Sequence, residues 1–251
     1  MYIYSFLLII YMDTRFWGPP AWVLLHTLAF NYDPKYKDEY NIFFSNLQYV
    51  LPCIYCRVSY IEYIESLPIS FYLSSRDEMF NWLYEIHNKV NKKLRSQGLL
   101  DKPDPNINEV EERFYKIYNN IDKCKHNDDS IMGWNFLYCI AFLFPEEGLY
   151  NATTCQYNGY CIFFTYLGKI LPEKGGLRYI YNEYFHKNSL LNALSSREKL
   201  KEWVYGLEQK INENFKMQCK SLSEIEEEIE NYRAGCGGPN KDLKPTCRKQ
   251  K

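Results

Sequence analysis

The chain has 251 residues with 30 Lys and Arg against 31 Asp and Glu, a formal net charge of -1, and that length allows one large domain or two of roughly 120 residues each. Apolar residues supply 46% of the chain and aromatics 18%, which is enough for a packed core and excludes a disordered protein. A near-neutral balance with no long basic run argues against a nucleic-acid binder, because such binding draws on clustered Lys and Arg.

The membrane-like stretch at the start, MYIYSFLLIIYM, falls short of the roughly 20 apolar residues that span a bilayer. It also lacks a basic n-region and a small-residue cleavage site, so neither a signal peptide nor an anchor is expected. Met12 could itself be the start, and no compartment follows from this segment.

Helical periodicity then dominates. Trp22, Leu25, His26, Ala29 and Phe30 recur at three and four residues, with Pro19 and Pro20 placed to suit a helix entry. A second run covers Tyr40 to Val50 and stops at Pro52; a third follows from Cys53 to about Ser66. Ser74 or Ser75, followed by Asp77 and Glu78, reads as an N-cap with an acidic first turn. It opens a helix through Trp82, Ile86, Val90 and Leu94 that Gly98 ends. A shorter helix runs from Asn108 to about Asn119. Period-two runs bounded by hairpin turns are missing, so the fold is expected to be all-α.

The second half repeats the first. Trp22–Phe30 matches Trp134–Phe142 with four identities in nine positions, and Tyr40–Pro52 matches Tyr160–Pro172 with seven in thirteen. Leu73–Leu94 matches Leu194–Phe215 with eight in twenty-two, and INEVEE at Ile107 is echoed by LSEIEE at Leu222. Colinear blocks at nearly constant offset imply two copies of one helical bundle, with the boundary in the polar stretch 122–129. Shared residues such as Trp22/Trp134 and Trp82/Trp203 serve packing and capping. Reactive residues are confined to the first copy: Cys53 and Cys56 become Glu173 and Gly176, His26 becomes Tyr138, His87 becomes Glu208, and Asn88 becomes Gln209.

Nine cysteines leave at least one unpaired or paired between molecules. Cys53 and Cys56 form a CxxC at the start of a helix, where first-turn amides stabilise a thiolate. Taken alone, that pair is open to redox exchange, metal binding or structural burial. A thioredoxin-like module needs a βαβ setting, and a zinc site needs two further ligands; His26 and His87 are on offer, without a second CxxC or a closely spaced His pair. No metal is expected. His87, Asn88 and Asn91 share one helix face, which by itself fits a solvated edge. Pairing of Cys155 with Cys161 stays open.

The combination of WGPPAWVLLHTLA (Trp17 to Ala29), PCIYC (Pro52 to Cys56), Ser75-Arg76, Trp82 and HNKVNKKL (His87 to Leu94) closely resembles the Erv/ALR family of FAD-linked sulfhydryl oxidases. The resemblance covers about residues 16–114, and the low-Gly composition, rich in Lys, Asn, Ile and Tyr, looks like the versions made by large DNA viruses. It implies a four-helix bundle with a short fifth helix that holds FAD, with Gly18, Trp22, His26, His87, Asn88 and Asn91 along the cofactor and Lys92 and Lys102 as phosphate or ribose contacts. It further implies that Cys53 exchanges disulfides with incoming thiols and that Cys56 passes electrons to the flavin. Two departures stand out: the family often has Arg where Pro19 stands, and the segment 102–114 lacks the tethering cysteine.

The expected activity is thus disulfide formation in thiol-bearing proteins, with O2 reduced to H2O2 and a homodimer as the assembly. Residues 13–121 are expected to be catalytic and 130–232 to be a degenerate bundle. Residues 233–251 form a Gly/Pro-rich tail whose Cys236 and Cys247 could act as a shuttle pair. Alternatives of other kinds are an interaction protein that keeps the scaffold without turnover, and a redox relay that does not use O2.

Overall fold

A computed structural model describes residues 11–121, 131–146 and 154–234. Cys124, Cys236, Cys247 and the side chain of Cys155 lie outside what it describes. The described chain is helical, apart from a two-residue antiparallel pair that joins its ends, β1 (Tyr11–Met12) and β2 (Arg233–Ala234).

In the first half, α1 (Thr14–Phe30) packs on α4 (Arg76–Ser96) and α5 (Ile107–Asn119), while α2 (Lys37–Asn46) leads through a 3-10 turn at Leu47–Tyr49 into α3 (Ile54–Ser66). In the second half, α6 (Trp134–Phe142) packs on α10 (Arg197–Phe215), and α7 (Thr154–Ile170) packs on α8 (Leu177–Lys187). The short α9 (Leu190–Ala193) and the closing α11 (Leu222–Asn231) complete it. No helix among the described residues is long and apolar enough to cross a membrane.

The helix starts follow from capping chemistry. Ser75 accepts from Glu78 N, and Asn106 with Glu109 and Ser221 with Glu224 form reciprocal capping boxes, so orphan amides of each first turn are satisfied. Gly98, at φ +68°, ends α4 in the left-handed region that a Cβ disfavours. One boundary differs from expectation: α1 begins at Thr14 and runs through Pro19 and Pro20 instead of being entered by them. Asp13 caps that extra turn by accepting from Arg15 N, and burial of Phe16 and Trp17 outweighs the backbone bonds the prolines cannot donate.

Equivalent contacts recur in the two halves. Tyr40 donates to Leu28 O as Tyr160 does to Ile140 O, and Tyr60 to Phe44 O as Tyr181 does to Phe164 O. Trp82 Nε1 donates to Leu67 O as Trp203 Nε1 does to Asn188 O. The halves join face to face, α1 on α6 and α2 on α7, with Phe43 stacked on Phe163 at 5.3 Å and Trp17 on Phe136 at 5.7 Å. Their buried residues form one continuous core. Because Phe43 and Phe163 are both fully buried in this seam, Phe163→Ala is expected to cost about 3–5 kcal/mol, seen as a lower urea midpoint in a single transition.

Candidate active site

The loop between the 3-10 turn and α3 carries the dithiol. Cys53 is the N-cap of α3 in extended backbone, and its Sγ accepts from Cys56 N at 3.3 Å. Its own N–H donates to Leu51 O at 2.8 Å. A sulfur facing first-turn amides is in the arrangement that favours its thiolate. The two sulfurs differ in access: Cys53 is only 2% exposed, whereas half-buried Cys56 lines a cavity. Cys53, the expected exchange partner, is thus enclosed by its surroundings, while Cys56 opens to the cavity.

The cavity beside Cys56 holds about 440 Å³ between α1, α3 and α4, walled by Trp22, Leu25, Tyr63 and Val90. A second cavity of about 360 Å³ lies between α1, α4 and α5, bounded by Trp22, His26, His87, Asn88 and Arg113. Pro19, Trp22, His87 and Asn91 line both, so the two adjoin at these side chains and are together called the trough. Gly18 borders the first, where a Cβ would meet open space.

At the junction Trp22 stacks on His87 with ring centres 3.8 Å apart and 8° between planes. His87 Nδ1 lies 3.1 Å from His26 Nε2, while His26 Nδ1 is buried without a partner among the described residues. Asn91 is fixed by donating to Asp104 at 2.8 Å, and Asp104 is held in turn by Arg95. Burial drives the His26 pKa well below its ordinary value, helped by the charges of His87 and Arg113. Burial also brings His87 down to about 4, Asp104 opposing and Arg113 assisting. Both imidazoles are therefore neutral at pH 7, with one proton between them in the shared hydrogen bond.

The trough thus brings together Gly18, Trp22, His26, His87, Asn88, Asn91 and Cys56. It does not take in the lysines expected from the sequence. Lys92 and Lys102 are exposed, and neither lines the trough. The buried neighbour Lys93 stands there instead, donating to Ser59 Oγ at 2.8 Å and to Tyr55 O at 3.4 Å. Helical register explains the exchange: Lys93 is seven residues after Ile86 and shares its inward face, whereas Lys92 turns outward. A lysine inside the apolar stripe Ile86, Val90, Leu94 was the signal that could have found it. Arg113 and Phe114, brought in by α5, were visible only once that helix packed on α1.

In the second half a different buried pair stands at the corresponding positions. Tyr138 donates to Glu208 at 2.5 Å where the first half has His26 and His87, and Asn212 donates to Glu208 at 3.5 Å. A cavity of about 240 Å³ remains beside this pair, rimmed by Trp134, Lys220 and Glu228.

The depressed histidines make stability depend on pH. Each is neutral when folded and gains a proton on unfolding, so its contribution is complete above the unfolded pKa near 6.5 and is lost as pH falls toward the folded value of about 4 for His87. The urea midpoint is expected to fall between pH 7 and pH 4, and His87→Gln is expected to flatten that slope.

Residues 19–115 match the Erv1 / Alr family. The chain is 36% identical over 85 residues to a probable FAD-linked sulfhydryl oxidase of Acanthamoeba polyphaga mimivirus, covering 32% of this chain and 59% of that protein. It is 36% identical over 88 residues to the mitochondrial FAD-linked sulfhydryl oxidase ERV1 of Saccharomyces cerevisiae, covering 33% of this chain and 45% of that protein. The matched region thus spans about half the length of these two relatives. An African swine fever virus FAD-linked sulfhydryl oxidase is 30% identical over 125 residues, covering 48% of this chain and 98% of the viral protein. No solved structure is significantly similar to the chain. Matched over nearly the whole of that viral oxidase, with the CxxC, the WxxxH stretch and the HNxVN helix gathered at one trough, the chain belongs to the Erv1 / Alr family.

Proposed function

We propose that the chain is an FAD-dependent thiol oxidase that makes disulfides in thiol-bearing proteins. The carrying observation is that Cys56 lines the same trough as the aromatic and imidazole groups. That trough fits a flavin dinucleotide on chemical grounds. Largely apolar walls at Trp22, Tyr63, Val90 and Leu94 suit a tricyclic ring with Lys93 beside it, while Arg113 in the adjoining cavity offers charge to a pyrophosphate. The buried unpartnered Nδ1 of His26 and the fixed amide of Asn91 supply hydrogen-bonding groups beside it.

The protein's own part is dithiol exchange. A substrate thiolate attacks the Cys53–Cys56 disulfide at Cys53, forming a mixed disulfide and releasing Cys56 as thiolate. A second substrate thiol displaces Cys53, so the substrate leaves oxidised and the pair holds two electrons. When bound, the flavin supplies a two-electron acceptor that O2 regenerates, yielding H2O2. Trp22, His26, His87, Asn88 and Asn91 would hold it and exclude water, with Gly18 leaving room at the wall and Lys93 as the lysine inside the trough in place of Lys92. Cys236 and Cys247 are proposed as a shuttle pair ahead of Cys53.

The recurring contacts support an internal duplication, with residues 13–121 as the catalytic bundle and 130–232 as its degenerate copy. In that copy Tyr138 and Glu208 fill the place of the two histidines, so a single flavin per chain follows. A homodimer remains part of the reading. The purified chain is expected to be yellow with one flavin per chain, and Cys53→Ser and Cys56→Ser are each expected to cut dithiothreitol-driven O2 uptake at least ~100-fold with flavin retained. A colourless chain, or variants of undiminished activity, would overturn the reading.

A further inference from the structure

The second half has no CxxC, yet it reaches the loop that carries Cys53 at three points. At Gly159, in α7, a Cβ would lie 2.4 Å from Tyr49 Cβ. Glycine thus lets α7 seat directly on the turn leading into the loop. The next residue, buried Tyr160, donates to Ile140 O at 3.4 Å, and its phenol lies under the charge of Arg57, which counters the upward push of burial on its pKa. Arg57 Nε in turn donates to Leu51 O at 2.7 Å. On the other side Tyr232 stacks on Phe16 at 4.5 Å, and its carbonyl accepts from Asp13 N at 3.0 Å. The residue before Asp13, Met12, donates its N–H to Pro52 O at 3.2 Å. Leu51 and Pro52, the two residues before Cys53, therefore each give their carbonyl to a group that the second half holds.

We propose that the second half is a positioning element for the redox loop, with Tyr160 acting through Arg57 and Tyr232 acting through the 12–13 segment to keep Cys53 closed and seated as the N-cap of α3. The proposal rests on reading Cys53–Cys56 as the working pair. Removing the Tyr160 hydroxyl takes away the buried polar group that Arg57 faces, which loosens the hold of Arg57 on Leu51 O and so on the loop. Loosening also weakens the amide contact to Cys53 sulfur. That contact stabilises the reduced pair, so its loss shifts the exchange equilibrium toward the disulfide.

The test uses the full chain, with Tyr160→Phe and Tyr232→Ala as variants. Tyr181→Phe is the control: its buried hydroxyl donates to Phe164 O at 2.7 Å within the second half, away from the loop. Two quantities are read without O2: the high-pH plateau rate at which iodoacetamide alkylates Cys53 in the reduced chain, located by mass spectrometry, and the equilibrium of Cys53–Cys56 with glutathione. Both variants are expected to alkylate at least about threefold faster and to shift the equilibrium about tenfold toward disulfide, equivalent to about 30 mV for two electrons. The control is expected to keep the parent values. Parent-like alkylation and equilibrium in either folded variant overturn the proposal, as does an equal rise in Tyr181→Phe, which marks general loosening. If one variant fails to fold, the other decides. Failure of the oxidase reading shows differently, as a chain without flavin or O2 uptake whose Cys53 can still be alkylated.

Discussion

The N-cap of α3 is the constraint on which the site depends. Cys53 must leave the helix in extended backbone for its sulfur to meet the Cys56 amide, and this geometry places Cys56 one turn inward at the trough. Moving Cys53 by one residue in either direction would remove the amide contact and rotate Cys56 away from the cavity wall. The preceding loop holds this arrangement by a short internal bond, Cys53 N to Leu51 O, and by the bonds that Leu51 and Pro52 make outward. One segment of three residues thus joins the helix terminus, the trough and the contact between the two halves.

The seam between the halves gives that segment its backing. Aromatic stacking of Phe43 on Phe163 and of Trp17 on Phe136 makes the first two helices of each half mutual cover, so neither exposes that apolar face. Side chains then divide roles within a common scaffold. Trp82 and Trp203 make the same bond to a backbone carbonyl, whereas the space between α1 and α4 holds two neutral imidazoles and its counterpart between α6 and α10 holds a tyrosine and a carboxyl group. Burial raises the pKa of Glu208, with Tyr138 and Asn212 opposing through hydrogen bonds. A buried acid of this kind is costly unless satisfied from within, and here it is.

Much of this was legible in the sequence for physical reasons. Helical spacing around Trp22 and Ile86, serine N-caps and the glycine stop at Gly98 act through local chemistry, and the all-helical character followed from them. The gathering of Trp22, His26, His87, Asn88 and Asn91 was expected from the family resemblance; helix-face position alone fitted a solvated edge or a core seam as well. What escaped depends on contacts distant along the chain. The early start of α1 rests on Asp13 and on aromatic burial of Phe16 and Trp17, while the β1–β2 pair joins residues more than two hundred positions apart. The choice of Lys93 over Lys92 was readable from register but was masked by the expectation that charge faces solvent. Burial of Cys53 could not be read from CxxC spacing, since it comes from the fold around the loop.

The central claim is that one trough, in the first half, unites the dithiol with the cofactor. A crystal structure of the flavin-loaded chain tests it most directly. The account predicts a single flavin per chain, in contact with Cys56, Trp22 and His87. A flavin seated instead beside Trp134 and Tyr138, or one bound away from Cys56, would contradict it.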